Sequence, residues 1–246
     1  MDPAKLKEKA AIAAVDSLVK SGMKLGLGTG STAVYAVRYI GSLLAEGKLR
    51  NIMAVSTSFQ TTIECEKNGI PLFTMNSREI GGKLDLDIDG ADEVDSQNRC
   101  IKGGGGALLL EKLIAYASDV FAIVIDESKI TKTLGAKFPV PVEVIPEAWF
   151  TVRRKLEKFG AEVNLREAVR KAGPVVTDHG NFILDVRFSG TSDLRKPEFP
   201  ALMEAELNRI PGVVENGFFY WRPEAGSMDR PVIFIGLENG EVERRD

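Results

Sequence analysis

Short apolar runs that end in a glycine- or aspartate-bearing turn and lead into helical spacing recur through the first half of this chain. That recurrence limits the possible folds more than any other feature. Lys24 to Gly28 reads as a strand running into Thr29-Gly30-Ser31-Thr32, and helical spacing returns from Ala33 to Glu46. Ile52 to Ser56 is strand-like, and Ser58 opens a helix that stops at Asn68-Gly69. Leu84, Leu86 and Ile88 alternate with Asp85, Asp87 and Asp89, the pattern of a strand with one polar face. After Lys102 and the glycines at 103–106, a helix from Ala107 to Ala117 leads into the apolar run Val120 to Ile125. Parallel strands need a crossover of this kind, so the alternation predicts an α/β fold: a Rossmann-like, mostly parallel sheet with helices on both faces. Ahead of it, Asp2 and Pro3 read as an N-cap and first helical residue. Leu6, Ala10, Ala13, Ala14, Ser17 and Leu18 then share one helical face, and Gly22 closes the helix.

The pattern changes near Phe138-Pro139-Val140-Pro141. A strand at Val140 to Val144 precedes a helix after Pro146. Short β pieces follow at Ala161 to Asn164, Val175 to Thr177 and Phe182 to Val186. Asp178 to Asn181 supplies hairpin chemistry, and a helix from Glu198 to Arg209 closes a smaller α+β, ferredoxin-like domain. Pro211 to Phe219 and Pro231 to Leu237 return to strand character and are expected to rejoin the first sheet, with the polar tail after Leu237 frayed. The expected division is 1–133 with 211–246 as the Rossmann-like catalytic domain and 134–210 as the smaller domain. No internal repeat or low-complexity tract interrupts it.

Composition narrows the chemistry. The chain has 32 Lys and Arg against 35 Asp and Glu, a net charge of −3, without the broad basic footprint of a nucleic-acid binder. It holds one histidine, His179, and two cysteines, Cys65 and Cys100. A catalytic zinc site takes about three protein ligands, so multi-histidine metal sites are excluded and the chemistry falls to carboxylates and lysines. Two cysteines so far apart do not make a disulfide framework and are expected as reduced, unreactive thiols. His179 is expected to be a turn residue, dispensable for turnover. The longest purely apolar stretch is Val120 to Ile125, far short of the ~20 residues that span a bilayer, and the N-terminus has no signal-peptide core. The expectation is a soluble, cytoplasmic chain with neither nucleic acid nor membrane as partner.

Four segments carry candidate chemistry. Gly26 to Thr32 joins a strand to a helix, where glycines admit close approach of a ligand and the helix offers free N–H groups to an anion. Thr29, Ser31 and Thr32 add hydroxyl donors, so phosphate is the natural guest. Ser31 stands where a dinucleotide fingerprint needs its third glycine, and no Gly-Lys-Ser/Thr of a nucleotide loop follows. The second segment, Asp85 to Asp95, begins like a calcium loop, but its twelfth position is Ser96 rather than glutamate. It reads as a strand ending at Asp89, a Gly90-Ala91 turn, and carboxylates at Asp89 and Asp92 beyond the strand's C-terminal end, where open α/β sheets bind ligands. Asp87, Glu93 and Asp95 read as solvated surface charge.

The third segment is Lys102 to Lys112. Four consecutive glycines lose much entropy on folding, so they mark a place where no side chain fits. Glu111 falls about one turn into the following helix, whose dipole favours an ionised carboxylate, and the glycine amides can hold an oxyanion. The ordinary alternative is an exposed helix glutamate beside a flexible connector. The fourth is Asp126 to Lys129, which puts Lys129 at another strand end.

Together Gly26–Ala33, Asp87–Asp95, Lys102–Lys112 and Asp126–Lys129 resemble, in order and spacing, the ribose-5-phosphate isomerase type A family. The likeness extends through most of the chain, including Pro139–Val144 and Ile210–Phe219. The resemblance implies interconversion of D-ribose 5-phosphate and D-ribulose 5-phosphate through a cis-enediolate, without metal or organic cofactor. It implies phosphate binding by Thr29, Gly30, Ser31 and Thr32, and sugar binding by Asp89, Gly90, Ala91, Asp92, Lys102, Gly103, Gly104 and Gly105, with Lys129 completing the site. Glu111 falls at the family's general base. Asp89 would assist ring opening, Lys102 would help neutralise the oxyanion, and Asp92 would complete the catalytic set. A homodimer or homotetramer is implied as well.

Three departures stand out: Leu110 where many relatives carry arginine, Gly106 lengthening a three-glycine run, and the N-terminal phosphate lysine. Lys7 is the best match for that lysine, although sliding the helix by one residue puts Glu8 there. Two other classes compete. A non-catalytic sugar-phosphate sensor would carry a DNA-binding segment, which is not evident before the first strand, and has no use for Glu111. A nicotinamide-dependent dehydrogenase is disfavoured by the missing glycine.

Overall fold

The computed structural model describes residues 2–188, 199–220 and 231–246. In chain order the elements are α1 (Pro3–Leu18), β1 (Lys24–Leu27), α2 (Ala33–Ala45), β2 (Met53–Ser56), α3 (Phe59–Lys67), β3 (Leu84–Asp89), β4 (Glu93–Val94) and β5 (Cys100–Ile101). Then come α4 (Leu108–Tyr116), β6 (Ser118–Asp126), β7 (Val140–Val144), α5 (Trp149–Lys158), β8 (Glu162–Leu165) and β9 (Phe182–Arg187). The last are α6 (Phe199–Asn208), β10 (Val213–Asn216), β11 (Phe218–Phe219), β12 (Val232–Gly236) and β13 (Val242–Arg245). The chain forms two compact units, one of Met1–Ala91, Leu110–Lys129 and Trp221–Asp246, the other of Asp92–Leu109 and Ile130–Tyr220.

The first unit is built on a sheet in the order β13-β12-β6-β3-β1-β2, parallel throughout except for β13. Leu25 sits between Ala54 of β2 and Leu86 of β3, so the apolar positions of adjacent strands stand in line. Leu27, Leu86, Ile88 and Val124 pack with Ala10, Ala14, Ala36, Val37 and Ile40 of the first two helices, while Val55, Leu84 and Ile80 pack with Ile114 of α4. Full burial of each such leucine or isoleucine contributes about 1.5–3 kcal/mol. Asp2 caps α1 by accepting from the Ala4 N–H at 3.1 Å, and Pro3 follows it as expected. The buried stripe is broader than the predicted face: α1 packs on α2 as well as β6 and β12, burying Ala11 and Val15 and leaving Ser17 exposed. The polar tail, expected to fray, instead adds β13 antiparallel to β12, with the Arg244 guanidinium over the Phe234 ring.

The second unit has an antiparallel sheet, β10-β7-β9-β8, with α5 and α6 between its strands in the β-α-β-β-α-β order of ferredoxin-like domains. Val140, Val142, Val144, Leu184 and Val186 of the sheet pack with Val152, Leu156 and Leu207 of the helices. A three-stranded sheet, β11-β5-β4, belongs to the same unit and draws in residues 92–109. Of the two late segments expected to rejoin the first sheet, only β12 does so. β10 pairs with β7 and β11 with β5, both antiparallel. Val175 to Thr177 is not a strand: Thr177 donates its N–H to Asn181 O and its hydroxyl accepts from the His179 and Asn181 amides, closing a turn. His179 is exposed on that turn. Glu198, where the last helix was expected to begin, lies outside the described residues. No described helix is long and apolar enough to cross a membrane.

The carboxylates correct the sequence reading most. Asp87 and Glu93 are 0% exposed and Asp95 2%, so none is solvated surface charge. β3 is covered on both faces, which puts its polar side in the interior as well. Glu93 accepts backbone N–H groups from Gly135, Lys137 and Phe138 at 2.5–2.7 Å and organises that loop. Asp95 accepts the amides of Gln97 and Arg99 and pairs with the Arg99 guanidinium at 2.6 Å.

Glu143 on β7 is buried and lies opposite Glu215 of β10, accepting hydrogen bonds from Thr177 and Asn181. Burial pushes its carboxyl above the ordinary range, the two hydrogen bonds and His179 oppose this, and Glu215 adds to it. A raised folded-state value means that folding takes up a proton, so the group's contribution to stability falls as pH rises through and above the ordinary carboxylate range. In melts of wild type and Glu143→Gln at pH 5 and pH 8, the difference in Tm is expected to move in favour of the glutamine variant at pH 8. An unchanged difference would show that Glu143 is not held with a raised value.

Candidate active site

In the first unit the candidate residues gather at the C-terminal ends of β1, β2, β3 and β6. The turn after β1 is held from β3. Asp89, 0% exposed, accepts the Thr29 N–H at 3.0 Å and the Gly90 N–H at 2.7 Å through one oxygen. Gly28 is what permits this, since a Cβ there would lie 2.1 Å from Asp89 Oδ1 and 2.5 Å from its Cα. From the other side the turn after β2 supplies hydroxyls. Thr29 Oγ1 donates to Ser58 Oγ at 2.6 Å and lies 2.7 Å from Thr57 Oγ1, while Thr61 Oγ1 donates to Gly28 O. The Gln60 side chain accepts from the Gly30 N–H at 3.3 Å.

Sequence reasoning missed Thr57, Ser58, Gln60 and Thr61. The signal was there in a run of hydroxyl residues following a predicted strand, the same position that made Thr29 and Asp89 candidates. Thr32 is buried and begins α2 without capping it through its side chain. Lys7, one turn into α1, donates to Ser31 Oγ at 3.1 Å and stands 3.9 Å from Asp126 Oδ2. The helix register therefore puts Lys7, and not Glu8, at the loop. Asp126 ends β6 and accepts from the Ser128 N–H at 3.0 Å, shaping the short 3-10 turn that presents half-buried Lys129.

Glu111 lies in the first turn of α4 and is 4% exposed. Ile114, three residues on, anchors the helix among Val55, Ile80 and Leu84. The candidate base is therefore a buried carboxylate at a helix N-terminus, not an exposed surface glutamate.

In the second unit, Lys102 leaves β5 with its N–H on Gly217 O and is 2% exposed, its ammonium 5.5 Å from the Phe219 ring centroid. An aromatic face favours a charged ammonium in such a place. Asp92 accepts the Gly104 N–H at 2.7 Å, and a Cβ at Gly104 would lie 2.5 Å from Asp92 Oδ1. Gly103 and Gly106 have φ values of +100° and +81°, so the long glycine run is used by the backbone and is not a slack connector. Sequence reasoning did not single out Arg166, which donates to the Gly103 and Gly104 carbonyls, or Asp185 on β9, which binds the Arg166 guanidinium.

Both cysteines are buried, and burial pushes the Cys65 thiol up to about 12. Among the described residues, no three His, Cys, Asp or Glu side chains cluster as metal ligands.

A mostly parallel sheet flanked by helices, with a glycine turn, a hydroxyl cluster and lysines at its strand ends, together with a smaller antiparallel α+β unit, defines a Rossmann-like α/β protein. The model of the ribose 5-phosphate isomerase A (phosphoriboisomerase A) family matches residues 53–227. The ribose-5-phosphate isomerase A of Treponema denticola is 50% identical over 99% of both chains, and that of Treponema pallidum 52% identical over 94% of this chain and 89% of its own. Among solved structures, ribose 5-phosphate isomerase A of Methanocaldococcus jannaschii superposes with a TM-score of 0.85 at 41% identity, covering 98% of each chain. A D-ribose-5-phosphate isomerase in complex with phospho-erythronic acid gives 0.89 at 38% identity over the whole of both chains. The chain belongs to the ribose 5-phosphate isomerase A family.

Proposed function

We propose that the chain is an aldose–ketose isomerase that interconverts D-ribose 5-phosphate and D-ribulose 5-phosphate, with Glu111 as general base. Family membership over nearly the whole chain supports the reaction, and the buried Glu111 in the first turn of α4 is the observation that carries the assignment of the base. Gly30, Ser31 and Thr32 bind the phosphate with Lys7 and Lys129. Thr29 shapes the turn rather than donating to the phosphate, because its hydroxyl is engaged by Ser58 and Thr57 and its N–H by Asp89. Gly90, Ala91, Asp92 and Lys102 to Gly105 bind the sugar.

In the open-chain aldose, Glu111 takes the proton from C2. The electron pair moves toward C1, whose carbonyl oxygen becomes an oxyanion stabilised by Lys102 and glycine amides. The C2 hydroxyl proton passes to that oxygen, and return of a proton from Glu111 to C1 leaves the ketone at C2. The ring-opening role of Asp89 falls on a carboxylate already bound by two amides, so positioning of the phosphate turn is its main contribution. The relative's ligand, phospho-erythronic acid, joins a phosphate to a sugar acid, the pairing of charges this donor set suits.

The same reading includes a cytoplasmic enzyme of the non-oxidative pentose phosphate branch, acting as a homodimer or homotetramer without metal or cofactor. The test is conversion of ribose 5-phosphate to ribulose 5-phosphate by the purified chain in EDTA. Turnover undiminished by the chelator is expected. Loss of turnover in EDTA would overturn the metal-free mechanism, and absence of turnover under all conditions would overturn the reaction.

A further inference from the structure

The glycine run of the second unit needs something to fix its peptide planes, because glycines populate both signs of φ with little preference and carry no side chain to anchor them. Arg166, just after β8, supplies this. Its backbone is fixed, with its N–H on Ile183 O at 2.8 Å and its carbonyl accepting from the Val175 N–H at 2.9 Å. Its Nε and Nη2 grasp both carboxylate oxygens of Asp185 on β9, at 2.9 and 2.5 Å. The remaining nitrogen, Nη1, donates to Gly103 O at 3.0 Å and Gly104 O at 3.1 Å.

The peptide group between Gly103 and Gly104 is thereby held at both ends, its oxygen by Arg166 and its N–H by Asp92. The next peptide is held by its oxygen alone. A trans peptide points its C=O and N–H in opposite directions, so the Gly105 N–H is turned away from the guanidinium. The pair is 14% and 23% exposed at its side chains, sheltered enough for a bidentate Arg–carboxylate contact to hold its geometry.

We infer that Arg166, oriented by Asp185, is a positioning residue that sets the 103–104 and 104–105 peptide planes and so aims the Gly105 N–H at the substrate oxygens. The inference rests on the reading above that Lys102 to Gly105 bind the sugar. Arg166 touches no reacting atom in this account. Its effect passes through the backbone it holds, and a small misplacement of such groups lowers turnover strongly.

The test measures kcat, KM and Tm for Arg166→Met, Arg166→Lys, Asp185→Asn and, separately, Lys102→Met. Arg166→Met is expected to lower kcat by about ten- to a hundredfold with KM changed by less than about threefold. Arg166→Lys should not rescue it, because an ammonium cannot hold the carboxylate and two carbonyls in one plane. Asp185→Asn should fall between these variants and wild type, and it decides the matter if Arg166→Met does not fold. A fall in Tm with wild-type kcat in the folded variants would reduce the pair to scaffolding and overturn the inference. Wild-type turnover in Lys102→Met would overturn the sugar-binding reading itself. Loss in Lys102→Met with wild-type kcat in the Arg166 and Asp185 variants would overturn only the inference drawn from the guanidinium.

Discussion

Replacing Glu111 by glutamine is expected to lower kcat at least about a hundredfold, the lower end for removal of a general base, while KM changes little. Glutamine keeps the shape and hydrogen-bonding reach of the side chain but cannot take the proton from C2. The substitution is mild for the fold, since Glu111 sits in the first turn of α4 and the helix is anchored by Ile114. The measurement is steady-state conversion of ribose 5-phosphate in EDTA, with the melting temperature as a check on folding. Turnover near wild type in a folded Glu111→Gln would remove Glu111 from the chemistry. The next buried carboxylate to test would be Asp89, which the phosphate turn already engages.

Gly28→Ala is expected to strike the phosphate turn and the sheet together. The new methyl would lie 2.1 Å from Asp89 Oδ1 and 2.5 Å from the Asp89 Cα, and one of those contacts is backbone. Rotating a side chain cannot relieve it, so the ends of β1 and β3 must part. That separation strains the Gly28 N–H bond to Ile88 O and the Thr29 N–H bond to Asp89. Overpacking of this kind costs about 1–3 kcal/mol. For a chain of this size each kcal/mol lowers Tm by roughly 2–4 °C. The displaced turn should also raise KM for ribose 5-phosphate by at least about tenfold, because the cradle proposed for the phosphate loses its shape. Calorimetry and kinetics on the one variant check both effects. A protein with wild-type Tm and KM would show that the turn does not depend on the close approach of Asp89 to Gly28.

These effects concern residues that differ in how far the sequence exposed them. Gly28 and Thr29 were marked by their place between an apolar run and a helical pattern, a local feature. Glu111 was marked by its distance from four glycines that no connector needs. Lys7 was ambiguous by one residue, because helical spacing tolerates such a slip, and its contact with Ser31 puts it, rather than Glu8, beside the glycine turn. Thr57 and Thr61 followed a predicted strand end and went unread, and Ser58 was read only as the start of a helix. Arg166 and Asp185 left no local trace at all, since they meet only when β8 and β9 pair and the glycine run lies beside them.

The sequence by itself determined the alternation of the main strands and helices in the first half of the chain, the chemistry of the strand ends and the reliance on carboxylates and lysines. Those properties follow from short-range periodicity, from glycine where backbone must approach backbone, and from residue types that are present or missing. Tertiary structure alone decided which charges are buried and which strands are partners. Asp87 and Glu93 have the spacing of surface residues, and only cover on both sides of β3 and the amides of a distant loop draw them inside. β10 and β11 look like strands of either sheet, and pairing with β7 and β5 assigns them to the second unit. Burial and pairing depend on contacts between residues far apart in the chain, and no local pattern encodes them.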